Sequence, residues 1–201
     1  AKAEVTYILS GNEIETYQPS FTFMGFRHVR VQIKGNAEII SIKSLALSSA
    51  LKVTGNFSCG DELINRLHEN ASWSLNGNFV DVPTDCPQRD ERLGWTGDAQ
   101  VFCPLANYMR DGQQFFKKYL RDMVTDQRED GGIPYTIPDA TRHYDKGLPN
   151  FYGSTGWADA ICNIPWTIYL FYGDTEVLSD CLPAMQGWVD FLNSYAPNGI
   201  V

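Results

Sequence analysis

The sequence predicts a mainly α chain, a multi-helix domain that follows the closing part of a β-sandwich. Three observations carry that expectation. Up to Gly55 the apolar residues fall in short β-rich runs, and beyond it they recur at helical spacing. The helical segments are joined by loops rich in Gly, Pro, Asp and Arg, long enough to hold a site.

Before Gly55 the runs are VTYIL, FTFMGFRHVRVQI and IISIKSLALSSALKV. In Val29-Arg30-Val31-Gln32-Ile33 apolar and polar residues alternate at the strand period, which gives one face for a core and one for water. Phe21, Phe23 and Phe26 are expected to pack inside this β-domain rather than to form a ligand platform. The change at Gly55 places one domain over 1–55 and the next over 56–201.

Ser58-Cys59-Gly60-Asp61-Glu62 offers capping residues and early carboxylates, after which Leu63, Ile64, Leu67, Ala71 and Leu75 mark a helix over 61–77. Further helices are expected over 98–109, 112–127, 155–172 and 175–194, with Gly173 ending the fourth. Pro104, Pro165 and Pro183 lie inside these stretches and predict breaks or shifted starts. The intervening segments 79–97 and 129–153 read as loops, and no repeat of fixed 20–50-residue period is evident.

With 201 residues and 43% hydrophobic side chains the chain can bury a substantial core. Its net charge of −8 and pI near 4.8 disfavour nucleic acid and anionic membrane as partners, since both reward clustered Lys and Arg. A neutral partner fits better. Five cysteines without C-x-x-C spacing are too few for a disulfide scaffold, which favours a reducing, cytoplasmic compartment over a periplasmic or secreted one. The first residues carry no signal pattern and no apolar run is of membrane-spanning length, so the chain is expected to be soluble. Both ends read as cut from a larger protein, so apolar helix faces would lack neighbours, and self-association into a homo-oligomer is an expectation.

The chemistry concentrates in Asp81–Asp98, which holds five carboxylates, Asp81, Asp85, Asp90, Glu91 and Asp98, with Arg89, Arg92 and Trp95. Pro83, Pro87, Gly94 and Gly97 exclude one continuous helix, so these side chains can converge from a folded loop. Glycoside hydrolysis needs a carboxylic acid kept protonated and a second carboxylate acting as nucleophile or base. Crowding Asp85, Asp90, Glu91 and Asp98 would favour protonation of one of them, with Arg89 and Arg92 tempering the effect. Trp95 offers a flat face for the C–H side of a pyranose. A purely structural ion-pair loop explains the same charge density, and composition leaves both readings open. A metal site is not expected: no His lies in the segment and the acids lack calcium-loop spacing.

The run from Val82 through Asp85-Cys86-Pro87-Gln88-Arg89-Asp90-Glu91-Arg92-Leu93-Gly94-Trp95-Thr96-Gly97-Asp98 to Gln100 resembles the signature of the bacterial α-L-rhamnosidases of glycoside hydrolase family 78. The likeness extends to Phe21–Val29, to Gln127–Pro134 and to Gly156-Trp157-Ala158-Asp159-Ala160, and so covers essentially the whole chain. It implies part of an (α/α)6 barrel preceded by the end of a β-sandwich, and release of terminal α-L-rhamnose from glycosides with inversion and without a cofactor. By place in the motif it implies Glu91 as general acid, and Asp85, Arg89, Trp95 and Asp98 as residues that hold the rhamnose. Trp157 and Asp159 are carried over less directly; Trp157 reads equally as a core tryptophan at a helix start. The family's general base lies much later in its barrel, and neither Glu129 nor Glu176 stands in the expected motif, so the acid–base pair is expected to be incomplete here.

Other chemistries are poorly supported. His28, His68 and His143 have no patterned partner, and Cys86, followed by proline and flanked by acids, reads as a packing residue with a raised pKa. Gly94-x-x-Gly97 and Gly131-Gly132 lack the Lys-Ser/Thr of a phosphate loop. Tyr135, His143, Tyr144 and Tyr152 are candidates for a sugar-binding rim. A non-catalytic carbohydrate-binding module and a barrel glycosidase of other sugar specificity are the competing functional readings.

Overall fold

The computed structural model describes residues 3–142 and 152–196. Five helices follow in order, α1 (Glu62–Asn78), α2 (Thr96–Met109), α3 (Gln113–Asp126), α4 (Ala160–Tyr172) and α5 (Thr175–Tyr195), with a two-stranded antiparallel ribbon, β1 (Phe79–Val80) and β2 (Val82–Pro83), between α1 and α2. The ribbon pairs Phe79 with Pro83 and Val80 with Val82 around Asp81, which takes φ 68°. It interrupts what reads in sequence as an unbroken loop.

Local chemistry starts α1 and α5 and stops α4 where the sequence signals them. The Asp61 carboxylate caps α1 by accepting from Leu63 N–H at 2.8 Å, and Asp174 caps α5 by accepting from Val177 N–H at 3.1 Å. Gly173, with φ 66°, closes α4 in the left-handed conformation and turns the chain at once into α5. The α4–α5 pair thereby becomes a helical hairpin. α4 starts at Ala160 rather than 155, because Ser154 to Asp159 form tight turns whose carbonyls take bonds from Ala158, Cys162 and Asn163 N–H.

α2 and α3 both lie against α4, and α3 also touches α5, the neighbour-but-one packing of helical hairpins set in two layers. The buried faces follow helical spacing: Phe115, Phe116, Tyr119, Leu120 and Met123 on α3, Ile161, Ile164 and Ile168 on α4, and Val177, Cys181, Ala184, Trp188 and Phe191 on α5. Fully burying each large side chain is worth about 1.5–3 kcal/mol. This shared core joins α2, α3, α4 and α5 to Leu75 of α1 and to Phe79. Pro104, Pro165 and Pro183 do not break their helices, contrary to the expectation: each removes one backbone bond, and the buried residues on either side keep the turns in place. No helix among the described residues is long and apolar enough to cross a membrane.

Residues 3–55 form no strand ladder among the described residues; Val53 makes an isolated bridge with Arg110. Val29, Val31 and Ile33, the apolar half of the alternation, are exposed, as are Phe21 and Phe26. The physical reason is pairing: a strand is defined by its neighbour's hydrogen bonds and its apolar face by an opposing sheet, and the described residues supply neither. The segment is joined to the helical part by Ser49 N–H to Phe79 O at 2.8 Å and Asp111 N–H to Lys52 O at 2.8 Å.

Candidate active site

After β2 the chain enters a loop closed at its base by Asp85 and Leu93. Asp85 N–H donates to Leu93 O at 3.2 Å, and Leu93 N–H donates to Asp85 Oδ1 at 3.3 Å. Glu91 rides on the loop between them. Beyond Leu93 the chain is held on two sides: Gly94 O accepts from Ile137 N–H and from Tyr119 Oη–H, both at 2.8 Å, while Tyr135 O accepts from Thr96 N–H at 2.9 Å and Thr96 Oγ1–H at 3.1 Å. A Cβ on Gly94 would stand 2.1 Å from Ile137 O, so glycine is required by this close approach. Burial, with the charges of Asp98 and Asp122, pushes the Tyr119 hydroxyl well above its ordinary pKa, so it remains a donor.

Within the loop Arg89 sits between two carboxylates, 2.8 Å from Glu91 and 3.8 Å from Asp85. The Asp85 side chain is nearly buried at 9% exposure, whereas Glu91 is 44% exposed. Glu91 can therefore be reached by a ligand, and Asp85 anchors the cluster from below. Cys86 is buried, and that burial, with the neighbouring Asp85, pushes its thiol up, as its sequence setting suggests. One donor atom each of Asp85, Cys86 and Glu91 lies within 4.8 Å of the others, with the Arg89 guanidinium already among them. Asp90 is exposed and takes no part in the Arg89 ion pairs with Asp85 and Glu91.

A cleft of about 610 Å³ opens beside the loop, with Asp85, Asp98 and Trp157 in its wall together with Asn78, Thr84 and Phe102. Asp98 occupies the first turn of α2 and Trp157 the turn before α4. The two helix starts are adjacent: a Cβ on Gly97 would be 3.0 Å from Gly156 O and from the Trp157 ring, and Gln100 Nε2–H donates to Gly156 O at 2.5 Å. Trp157 is 40% exposed and packs at 5.6 Å on Tyr135, so it is not a core tryptophan. Trp95 precedes α2, half-buried, and bridges to Thr136. Asp159 is turned inward, accepting from Gly156 N–H at 3.1 Å and from Trp188 Nε1–H at 3.0 Å. Its contacts shape the turn that carries Trp157.

The structure thus brings Asp85, Arg89 and Glu91 into one cluster and Asp85, Asp98 and Trp157 into one cleft; Arg89, Glu91, Trp95, Asp159, Glu129 and Glu176 do not line that cleft. Glu176 pairs with Lys117 at 2.8 Å. Of the proposed aromatic rim, Tyr135 meets Trp157, Tyr152 donates to Asp130 Oδ2 at 2.8 Å, and His143 and Tyr144 lie outside the described residues. Tyr119, Thr96 and Gln100, which hold the site's backbone, escaped the sequence reading because each acts through a partner at least 25 residues away. Chemically, the arrangement offers an accessible carboxyl on an arginine-braced loop beside a cleft with two acidic walls and an indole, groups able to meet a polyol.

Comparison with known proteins gives that arrangement a family. Residues 52–200 match the bacterial alpha-L-rhamnosidase 6 hairpin glycosidase domain, and residues 1–51 match the bacterial alpha-L-rhamnosidase concanavalin-like domain. The chain belongs to the bacterial α-L-rhamnosidase family, and its helices are part of an (α/α)6 six-hairpin barrel. It is 39% identical over 197 residues to an alpha-L-rhamnosidase of Streptomyces avermitilis, covering 98% of this chain and 18% of the relative. An alpha-L-rhamnosidase of Alteromonas sp. (strain LOR) is 40% identical over 192 residues, 93% of this chain and 20% of the relative. Among solved structures, the alpha-L-rhamnosidase from Dictyoglumus thermophilum superposes with a TM-score of 0.69 at 38% identity, over 77% of this chain and 17% of that one. The Streptomyces avermitilis enzyme complexed with L-rhamnose gives 0.67 at 38% identity, over 73% and 14%. The chain spans about a fifth of the length of the curated relatives it matches.

Proposed function

We propose that this chain belongs to a longer inverting glycoside hydrolase that releases terminal α-L-rhamnose, with residues 1–55 ending a β-sandwich and 56–201 beginning the catalytic barrel. The observation that carries the reading is the joining, through Arg89, of an exposed Glu91 to Asp85, which shares one cleft with Asp98 and Trp157. Glu91 donates its proton to the glycosidic oxygen as the bond to the anomeric carbon breaks. Asp85, Arg89 and Asp98 hold the sugar hydroxyls by charge-assisted hydrogen bonds, and Trp95 and Trp157 supply apolar faces. Asp159 takes part through the turn that presents Trp157. Relatives named as α-L-rhamnosidases, one of them solved with L-rhamnose, support the choice of sugar.

An inverting reaction also needs a carboxylate on the far side of the sugar, about 6.5–9.5 Å from the acid, to activate water. We assign that base to a part of the enzyme outside these residues, since neither Glu129 nor Glu176 stands in the family's expected motif and Glu176 is paired with Lys117 at 2.8 Å. The reading is tested by Glu91→Gln in the longer enzyme on an alkyl α-L-rhamnoside. Loss of a general acid lowers turnover roughly 10²–10⁴-fold, and near-unchanged turnover would sink the assignment.

A further inference from the structure

The loop that carries Glu91 is held from outside by the segment that precedes the helical domain. Gly25 N–H donates to Pro87 O at 3.1 Å, and Arg92 Nη1–H donates to Phe23 O at 3.0 Å, a contact across 69 residues. The two bonds flank Glu91 on either side in sequence. Between them the backbones touch: a Cβ on Gly25 would stand 2.8 Å from Gln88 Cβ, 3.0 Å from Gln88 Cα and 3.1 Å from Gln88 N. Those are main-chain and first side-chain atoms, which cannot swing aside as the tip of a long side chain can. The loop has no helix or strand of its own from Thr84 to Gly94, so outside its Asp85–Leu93 base its path depends on such contacts.

We propose that Arg92 and Gly25 are positioning residues for the general acid, and that the Phe23–Gly25 segment of the preceding domain fixes where the Glu91 carboxyl stands beside the cleft. This rests on the reading of Glu91 as the acid and adds to it a cross-domain brace. Arg92 does not touch the reacting atoms; it clamps the residue next to Glu91 to the Phe23 backbone carbonyl. Arg89 governs the charge beside the acid, and Arg92 governs its place. A displacement of about 1 Å at a reacting group can cost two orders of magnitude in rate. Residues more than sixty positions from the acid in sequence therefore control proton delivery.

The test compares leaving groups in the longer enzyme. An alkyl α-L-rhamnoside needs its departing oxygen protonated, whereas 2,4-dinitrophenolate leaves without help. Arg92→Gln and Gly25→Ala should lower kcat on methyl α-L-rhamnoside about 10–100-fold while leaving kcat on 2,4-dinitrophenyl α-L-rhamnoside within roughly twofold, with KM little changed. Arg92→Lys, which keeps a cationic donor, should recover part of the loss. Arg92 is exposed, so its variants decide the matter if Gly25→Ala does not fold. Glu91→Gln is the internal control. If it shows the leaving-group selectivity and Arg92→Gln shows either full activity or an equal loss on both substrates, the brace is wrong and the acid stands. If Glu91→Gln shows no selectivity, the acid assignment fails and the brace with it.

Discussion

Replacing Gly94 by alanine adds one carbon at the tightest backbone crossing of the site. The new Cβ would lie 2.1 Å from Ile137 O, 3.3 Å from Ile137 C and 3.4 Å from the Tyr119 ring. Relief requires the 94 and 137 backbones to part by about 1 Å, a shift that overpacked sites accommodate at about 1–3 kcal/mol. It also stretches the two 2.8 Å bonds to Gly94 O, from Ile137 N–H and from Tyr119 Oη–H, each worth about 1 kcal/mol net. The Tyr119 hydroxyl is fully enclosed and would then be left without its acceptor. Together these give a loss of about 3–5 kcal/mol. Gly60→Ala is the matched control, because nothing lies within 4 Å of the added carbon, and it should change stability by less than about 0.5 kcal/mol. Urea unfolding of both variants in the longer enzyme, read from the midpoint at constant slope, separates them. A Gly94→Ala loss below about 1 kcal/mol would refute the claim that this crossing admits no side chain.

Two further outcomes follow from the titrating groups. Backbone N–H groups of Ser10, Gly11 and Asn12, with the Tyr7 hydroxyl, surround Glu15 and bring its carboxyl down to about 2. A lowered acid stabilises the 10–15 loop fully above its unfolded value and loses that contribution as the pH falls from 4.5 toward 2; a carboxyl-carbon NMR titration with a midpoint near 4.5 would contradict this. Burial raises the thiols of Cys103 to about 12 and Cys181 to about 11, whereas Cys59 is exposed. At pH 8 without denaturant an aromatic disulfide reagent should label Cys59 promptly and Cys103 only on unfolding; equal labelling rates would count against the buried placement.

Residues that act on near neighbours were legible in the sequence. Helices over 155–172 and 175–194 with Gly173 as the C-cap between them were legible as the succession α4–α5, whereas of the apolar face read for α1 only Leu75 is buried, with Leu63, Ile64 and Leu67 exposed. The acids of 85–98 could likewise be placed on a folded loop, because Pro87 and Gly94 exclude a helix. What spacing does not encode is partner choice at long range. The pattern Val29, Val31, Ile33 reads as a strand, yet it stays exposed and unpaired among the described residues because a ladder belongs to two segments at once. Asp159 shows the same limit. Its place in the motif groups it with the sugar-holding residues, while its carboxylate is taken up by Gly156 and Trp188, a partner 29 residues away.

That pattern of long-range contacts explains how the loop that carries the proposed acid is held in place. A loop without regular hydrogen bonds is fixed only if other elements crowd it, and crowding at backbone distance demands residues without side chains. Gly25, Gly94 and Gly97 mark three such contacts: with the 87–88 backbone from the preceding domain, with Ile137 from the 127–142 loop, and with Trp157 from the start of α4. They approach the acid segment from three separate parts of the chain. Each permits a neighbour to close to within about 3 Å of where a Cβ would be, and each neighbour carries or supports a group in the site. The Glu91 loop, the cleft wall and the indole are thus set relative to one another by contacts at glycine. A side chain at any of the three should disturb the site's geometry, with Gly25 acting on the Glu91 loop, Gly94 on the start of α2, and Gly97 on the Trp157 ring.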